Sequence, residues 1–118
     1  MEIFKEFTFD SAHWLPGVPA GHKCRNLHGH TYRVVIAVTG PIDKETGFVM
    51  DFGELKAIVQ PLIDDLDHSV LNEHINNPTA ENLVKWFWDI LAHEDVPLTS
   101  IEVWETPTSG ARKRDLSR

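Results

Sequence analysis

Apolar and polar residues alternate from Glu2 to Trp14, with Ile3, Phe7, Phe9, Ser11 and His13 on one side of an extended chain. That period of two marks a half-buried strand. A second run, Thr31-Tyr32-Arg33-Val34-Val35-Ile36-Ala37-Val38, is rich in β-branched residues. It predicts a strand that starts at His28 and runs to about Thr39, where Gly40-Pro41 ends it. Between the two, Leu15 to Lys23 is a glycine- and proline-rich loop. Asp43 to Gly47 reads as a turn, and Phe48-Val49-Met50 as a short extended piece beside the second strand. The period then changes. Leu55, Ile58, Val59, Leu62, Ile63 and Leu66 keep helical spacing and predict a helix over about Gly53 to Leu66, kinked or distorted at Pro61. Asp67 to Asn72 links to a second helix. Asn77-Pro78-Thr79 is a helix-start signal, with Glu81 in the first turn where the helix dipole favours negative charge. Leu83, Val84, Phe87, Ile90 and Leu91 form its stripe, which ends near His93. Pro97 precedes a strand at Ser100 to Thr106. Beyond Pro107 and Gly110, Ala111 to Leu116 forms a short last strand.

Two strands, two helices and two strands predict an α+β chain with a four-stranded antiparallel sheet and both helices on one face. At 118 residues this is a single domain over residues 1–118, able to bury roughly two-thirds of its unfolded surface. One sheet face is apolar; the other mixes Phe4, Val35 and Ala37 with Glu2, Glu6 and Arg33. Exposed edges and a mixed surface favour self-association. Eleven basic against eighteen acidic residues give a net charge of -7, which argues against nucleic acid as the main partner. A small anionic substrate stays compatible, because local charge can oppose the global sign. No apolar run reaches membrane-spanning length, and the N-terminus lacks a signal peptide's pattern. The one cysteine cannot form an internal disulfide, so a reducing compartment, the cytoplasm, is expected.

Chemistry concentrates at Cys24-Arg25-Asn26-Leu27-His28-Gly29-His30. Two residues apart on a strand, His28 and His30 project from one face and can share a divalent metal. His13 closes the first strand where His28 and His30 open the second, and in an antiparallel pair those ends are neighbours. Three imidazoles leave a tetrahedral zinc an open, catalytic position; with Cys24 as fourth ligand the site would be structural instead. Glu105 falls on the side of Ile101 and Val103. There it is either solvated at a frayed strand end or ready to accept a two-donor, amidine-like edge. Asp67-His68 is either a favourable charge near a helix end or a proton relay to Cys24, with Asp67 orienting the imidazole. His22, Lys23 and Arg25 flank the thiol and could hold an anion or lower its pKa. His74 and His93 read as surface residues. Arg112, Lys113, Arg114 and Arg118 read as a solvated basic tail.

Taken in order, Phe7-Thr8-Phe9-Asp10-Ser11-Ala12-His13, Gly21-His22-Lys23-Cys24, Leu27-His28-Gly29-His30, Gly47 to Phe52, Leu66-Asp67-His68, Asn77 to Asn82 and Glu105 to Gly110 resemble the 6-pyruvoyltetrahydropterin synthase family over essentially the whole chain. The short Cys-x-x-x-His-x-His spacing is like that family's carboxy-forming bacterial members, which serve the queuosine pathway. The resemblance implies the tunnelling fold, whose subunits join sheets into a barrel, commonly as a homohexamer of two trimers. It implies His13, His28 and His30 as Zn2+ ligands, Cys24 as the catalytic thiol, and Asp67 and His68 as its partners, which in this family can come from a neighbouring subunit. It implies Glu105 as the pterin anchor, with Thr79 and Thr106 as further pocket residues. The implied reaction is zinc-dependent conversion of 7,8-dihydroneopterin 3′-triphosphate to a 6-carboxy-tetrahydropterin, releasing acetaldehyde and triphosphate. Two rivals stand beside it: 6-pyruvoyltetrahydropterin formation from the same substrate, and a non-catalytic structural-zinc interaction module.

Overall fold

The structure is a computed structural model that describes residues 1–115. The chain runs β1 (Glu2–His13), β2 (His28–Thr39), α1 (Phe52–Leu66), α2 (Ala80–Leu91), β3 (Leu98–Thr106) and β4 (Ser109–Arg114). The four strands form one antiparallel sheet in sequence order, so the predicted α+β architecture holds. Cross-strand pairing sets Phe7 beside Val34 and Val34 beside Val103. Each inner-face row therefore continues across the sheet. Phe7, Phe9, Tyr32, Val34, Ile36, Val38, Ile101 and Val103 pack into one core with Leu55, Val59, Ile63 and Leu66 of α1 and Leu83, Val84, Phe87 and Leu91 of α2. Burying both helix stripes against one sheet face is the main apolar contribution to stability.

Local signals explain the element ends. Asp51 caps α1 by accepting from the Gly53 amide at 2.7 Å. Thr79 caps α2, its hydroxyl accepting from the Asn82 amide at 3.1 Å, as side-chain oxygens at this position do. α1 continues through Pro61 to Leu66. Proline removes one N–H there, but Pro61 and Ala57 are exposed, so the Ala57 carbonyl it strands can be hydrated. Gly110 must lack a side chain: a Cβ there would lie 2.6 Å from the Val103 carbonyl oxygen.

Three boundary expectations need correction. Phe48-Val49-Met50 forms no strand; it follows a turn in which Gly47 (φ 79°) donates to the Asp43 carbonyl at 2.8 Å, and Val49 and Met50 pack on the core. The reason is topological, since β1 and β3 already occupy both edges of β2. β1 stops at His13, whose partner His28 opens β2, while the Asn72 side chain takes over the Trp14 backbone at 3.0 and 2.8 Å. The last strand begins earlier than expected, at Ser109, because only Pro107 and Thr108 form the turn. Its expected end at Leu116, and Arg118 of the basic tail, lie outside the described residues.

The sheet's other face is the mixed surface expected from the sequence. Arg33 donates to Glu6 at 2.9 Å and its guanidinium lies 4.7 Å from the Trp104 ring centroid. Glu102 accepts from Trp104 and Arg112, both at 2.8 Å. No helix among the described residues is long and apolar enough to cross a membrane.

Candidate metal centre and active site

Strand register builds the centre. His13 and His28 are direct cross-strand partners, and His30 pairs with Ser11 one step further along the same face. Glu105 follows Trp104, which pairs with Arg33, and returns to the inner face, so its carboxylate reaches the same spot. His13 Nε2 lies 3.0 Å from His28 Nε2 and 3.2 Å from Glu105 Oε1; His30 Nε2 lies 3.4 Å from that oxygen. Ligand atoms of His13, His28, His30 and Glu105 all fall within 4.8 Å of one another.

The donor set fits a cation. His13 Nδ1 faces the Pro78 carbonyl oxygen at 2.8 Å, and His28 Nδ1 faces that of Asn26 at 2.7 Å. Carbonyls only accept, so each Nδ1 carries the proton, which leaves both Nε2 atoms with bare lone pairs. Those lone pairs face each other and a carboxylate oxygen. His30 Nε2 is buried without a hydrogen-bond partner. Burial is the leading cause that lowers the His13 and His30 pKa values, against the raising field of Glu105, so both imidazoles stay neutral and ready to ligate. Two facing lone pairs beside a carboxylate oxygen favour a positive charge between them, and imidazole nitrogen suits zinc and its first-row neighbours. Tyr32, fully buried, holds its hydroxyl 3.2 Å from His13 Nδ1, and burial is the first cause that raises its pKa.

Cys24 sits in a short turn, Lys23–Arg25, ordered by the His22 ring accepting from the Cys24 amide at 3.1 Å and by Leu15 N–H donating to the Cys24 carbonyl at 2.8 Å. It lines a cavity of about 410 Å³ with Lys23, His28, His30, Glu105, Thr106 and Ser109, and its sulfur is not among the four clustered ligand groups. Arg25 spends Nη1 on the Val18 carbonyl at 2.9 Å.

His68 lines a different recess, of about 530 Å³, with Asp10, Ser11, Gly29, His30 and Thr31 among its other walls. His68 Nδ1 donates to Asp67 Oδ2 at 2.9 Å. That bond is the first cause that raises the His68 pKa; Asp67 is lowered first by the Asp10 amide and then by His68. His30 lines both recesses. Thr106 thus stands beside the thiol and Glu105, whereas the Thr79 hydroxyl is occupied in capping α2. Sequence reasoning missed Ser109, visible only as part of the Glu105–Gly110 motif, and the carbonyls of Asn26 and Pro78, which have no side-chain signature.

A family profile described as 6-pyruvoyl tetrahydropterin synthase matches residues 2–115. A Synechocystis protein named 6-carboxy-5,6,7,8-tetrahydropterin synthase is 45% identical, covering 93% of this chain and 90% of its own. A Pyrococcus furiosus protein named dihydroneopterin monophosphate aldolase is 37% identical, covering 87% and 88%. The solved Caenorhabditis elegans 6-pyruvoyl tetrahydropterin synthase superposes with a TM-score of 0.87 over 98% of this chain and 95% of its own; at 22% identity that likeness shows the fold.

Proposed function

The chain belongs to the 6-pyruvoyl tetrahydropterin synthase family, and from that premise we propose that it is a 6-carboxy-5,6,7,8-tetrahydropterin synthase of queuosine biosynthesis. With one water it converts 7,8-dihydroneopterin 3′-triphosphate to the 6-carboxy product, acetaldehyde and triphosphate. The observation that carries this reading is the convergence of His13, His28 and His30 beside a thiol that stays out of the cluster. His13, His28 and His30 would hold zinc, which when bound supplies Lewis acidity to the substrate's side-chain hydroxyls. Cys24, in the same cavity, takes a side-chain proton as thiolate, and His68 returns one with Asp67 steering its ring. Glu105 accepts the pterin's 2-amino and N3 protons and so fixes the ring against the reacting atoms. Thr106 lines that pocket; Thr79 acts on it through the α2 start. Lys23 meets the triphosphate.

Cys24 and His68 open onto separate recesses in one chain, which supports a site completed by a second copy. The sheet's outer strands suit such an assembly: β1 carries Glu2 and Glu6, while β4 carries Arg112, Lys113 and Arg114. A homohexamer of two trimers in the cytoplasm follows from this reading. The test is to incubate the zinc-loaded protein anaerobically with dihydroneopterin triphosphate and weigh the products. A 6-carboxy product with trapped acetaldehyde is expected. A 6-pyruvoyl product with the full side chain would reassign the reaction. The P. furiosus relative's name favours one second reading, so the monophosphate is assayed alongside; preferred turnover of it would replace the triphosphate as substrate. Cys24→Ala should abolish turnover and keep the zinc, whereas loss of the metal would mean a structural site.

A further inference from the structure

Resting on the assignment of Asp67 and His68 to proton transfer, we propose that Ser11 is the positioning residue that pins this pair to the strand carrying His13. His68 is the one non-glycine residue at positive φ (55°) among the described residues, a left-handed state that few non-glycine residues adopt. It is held there from β1. The His68 amide donates to the Asp10 carbonyl at 2.6 Å, the Asp10 amide to Asp67 Oδ1 at 2.9 Å, and the Ala12 amide to the Ser69 carbonyl at 3.0 Å. Ser11 supplies a side-chain contact to the same loop. Its hydroxyl lies 2.8 Å from the Leu66 carbonyl oxygen and 2.6 Å from that of Ser69. These two carbonyls bracket Asp67 and His68, so the single hydroxyl proton, shared between them, ties the dipeptide's flanks to β1.

The placement is specific to the site. Ser11 is buried, two residues from His13 on the same face, and is the cross-strand partner of His30. The His68 ring is 78% exposed and takes its orientation from Asp67 Oδ2. Nothing packs that ring tightly, so its aim depends on how the backbone beneath it is held. Removing the hydroxyl need not unfold the loop, because each carbonyl keeps a donor: Ser69 Oγ to Leu66 at 2.8 Å, and the Ala12 amide to Ser69. What is lost is alignment. The charged groups facing His68 are Asp67 from its own loop and Asp10 from β1, and a loosened loop weakens its contact with both.

The experiment is an NMR titration of the His68 imidazole in the zinc-loaded protein, paired with steady-state kinetics. In Ser11→Ala the His68 midpoint falls toward its ordinary value, zinc content is unchanged, and kcat drops roughly ten- to a hundredfold with KM held within about twofold. Ser11→Thr, which keeps the hydroxyl, restores the raised midpoint. Should the alanine variant not fold, Ser11→Cys carries the test, since a thiol of similar size is a weak donor. An unchanged His68 midpoint overturns the proposal. So does a fall in kcat that tracks lost zinc, which would make Ser11 a support of the metal site instead. The titration needs no substrate, so it judges Ser11 even if the protein proves inactive on the pterin.

Discussion

Replacing His28 with alanine separates the metal contribution from the rest of the fold. In the metal-free protein the ring's one outward tie is Nδ1 to the Asn26 carbonyl at 2.7 Å, while its Nε2 faces that of His13 at 3.0 Å. Losing the first costs about 1 kcal/mol. Losing the second relieves two opposed lone pairs, so the metal-free variant should sit within roughly 1 kcal/mol of wild type. Zinc changes the balance. A ligand at a thousand times its dissociation constant stabilises a fold by about 4 kcal/mol, which for a chain of this size raises Tm by roughly 12–20 °C. Thermal melts of wild type and His28→Ala, each chelator-stripped and zinc-loaded, give four values. Wild type should show the large zinc-dependent rise and His28→Ala almost none, with the stripped proteins melting together. An equal zinc-dependent rise in both would refute the assignment of His28 as a ligand.

Glu105→Gln should lower kcat/KM about 10- to 100-fold, the worth of a charge-assisted hydrogen bond, and leave zinc content unchanged; loss of zinc would make Glu105 a ligand, consistent with its 3.2 Å approach to His13. The Asp67–His68 pair should give a stability window in pH. His68 is raised above its ordinary 6.5, so its contribution is complete below 6.5 and fades as pH climbs through the raised value. Asp67 is lowered below its ordinary 3.8, so its contribution is complete above 3.8 and fades as pH falls through the lowered value. Chemical denaturation should find wild type and Asp67→Asn most different between those limits; a difference that keeps growing above neutral pH would contradict the pairing. Gly110→Ala drives a Cβ to 2.6 Å from the Val103 carbonyl oxygen and should cost about 2 kcal/mol, read as a lower denaturation midpoint.

The histidine cluster was legible because strand periodicity and antiparallel pairing are strict. Once Glu2 to Trp14 and His28 to Thr39 read as strands, His13, His28 and His30 had to meet at one rim, as they do. Parity likewise turned Glu105 inward toward them. Phe48-Val49-Met50 was misread because its residues favour extended structure, while the occupancy of both β2 edges is a property of the whole sheet. The ring partners escaped for another reason. Pro78 and Asn26 act through backbone carbonyls, which every residue owns, so composition cannot flag them. Ser11 looked like one more inward residue of a strand; its grip on Leu66 and Ser69 joins positions 55 and 58 residues apart. The separation of Cys24 from His68 depends on where two loops leave the sheet, which no local pattern encodes.

Zinc K-edge X-ray absorption on the loaded resting protein tests the centre most directly. Three imidazoles with the thiol left free predict a shell of nitrogen and oxygen alone, at about 2.0–2.1 Å. A zinc–sulfur distance near 2.3 Å would put Cys24 on the metal and contradict the account.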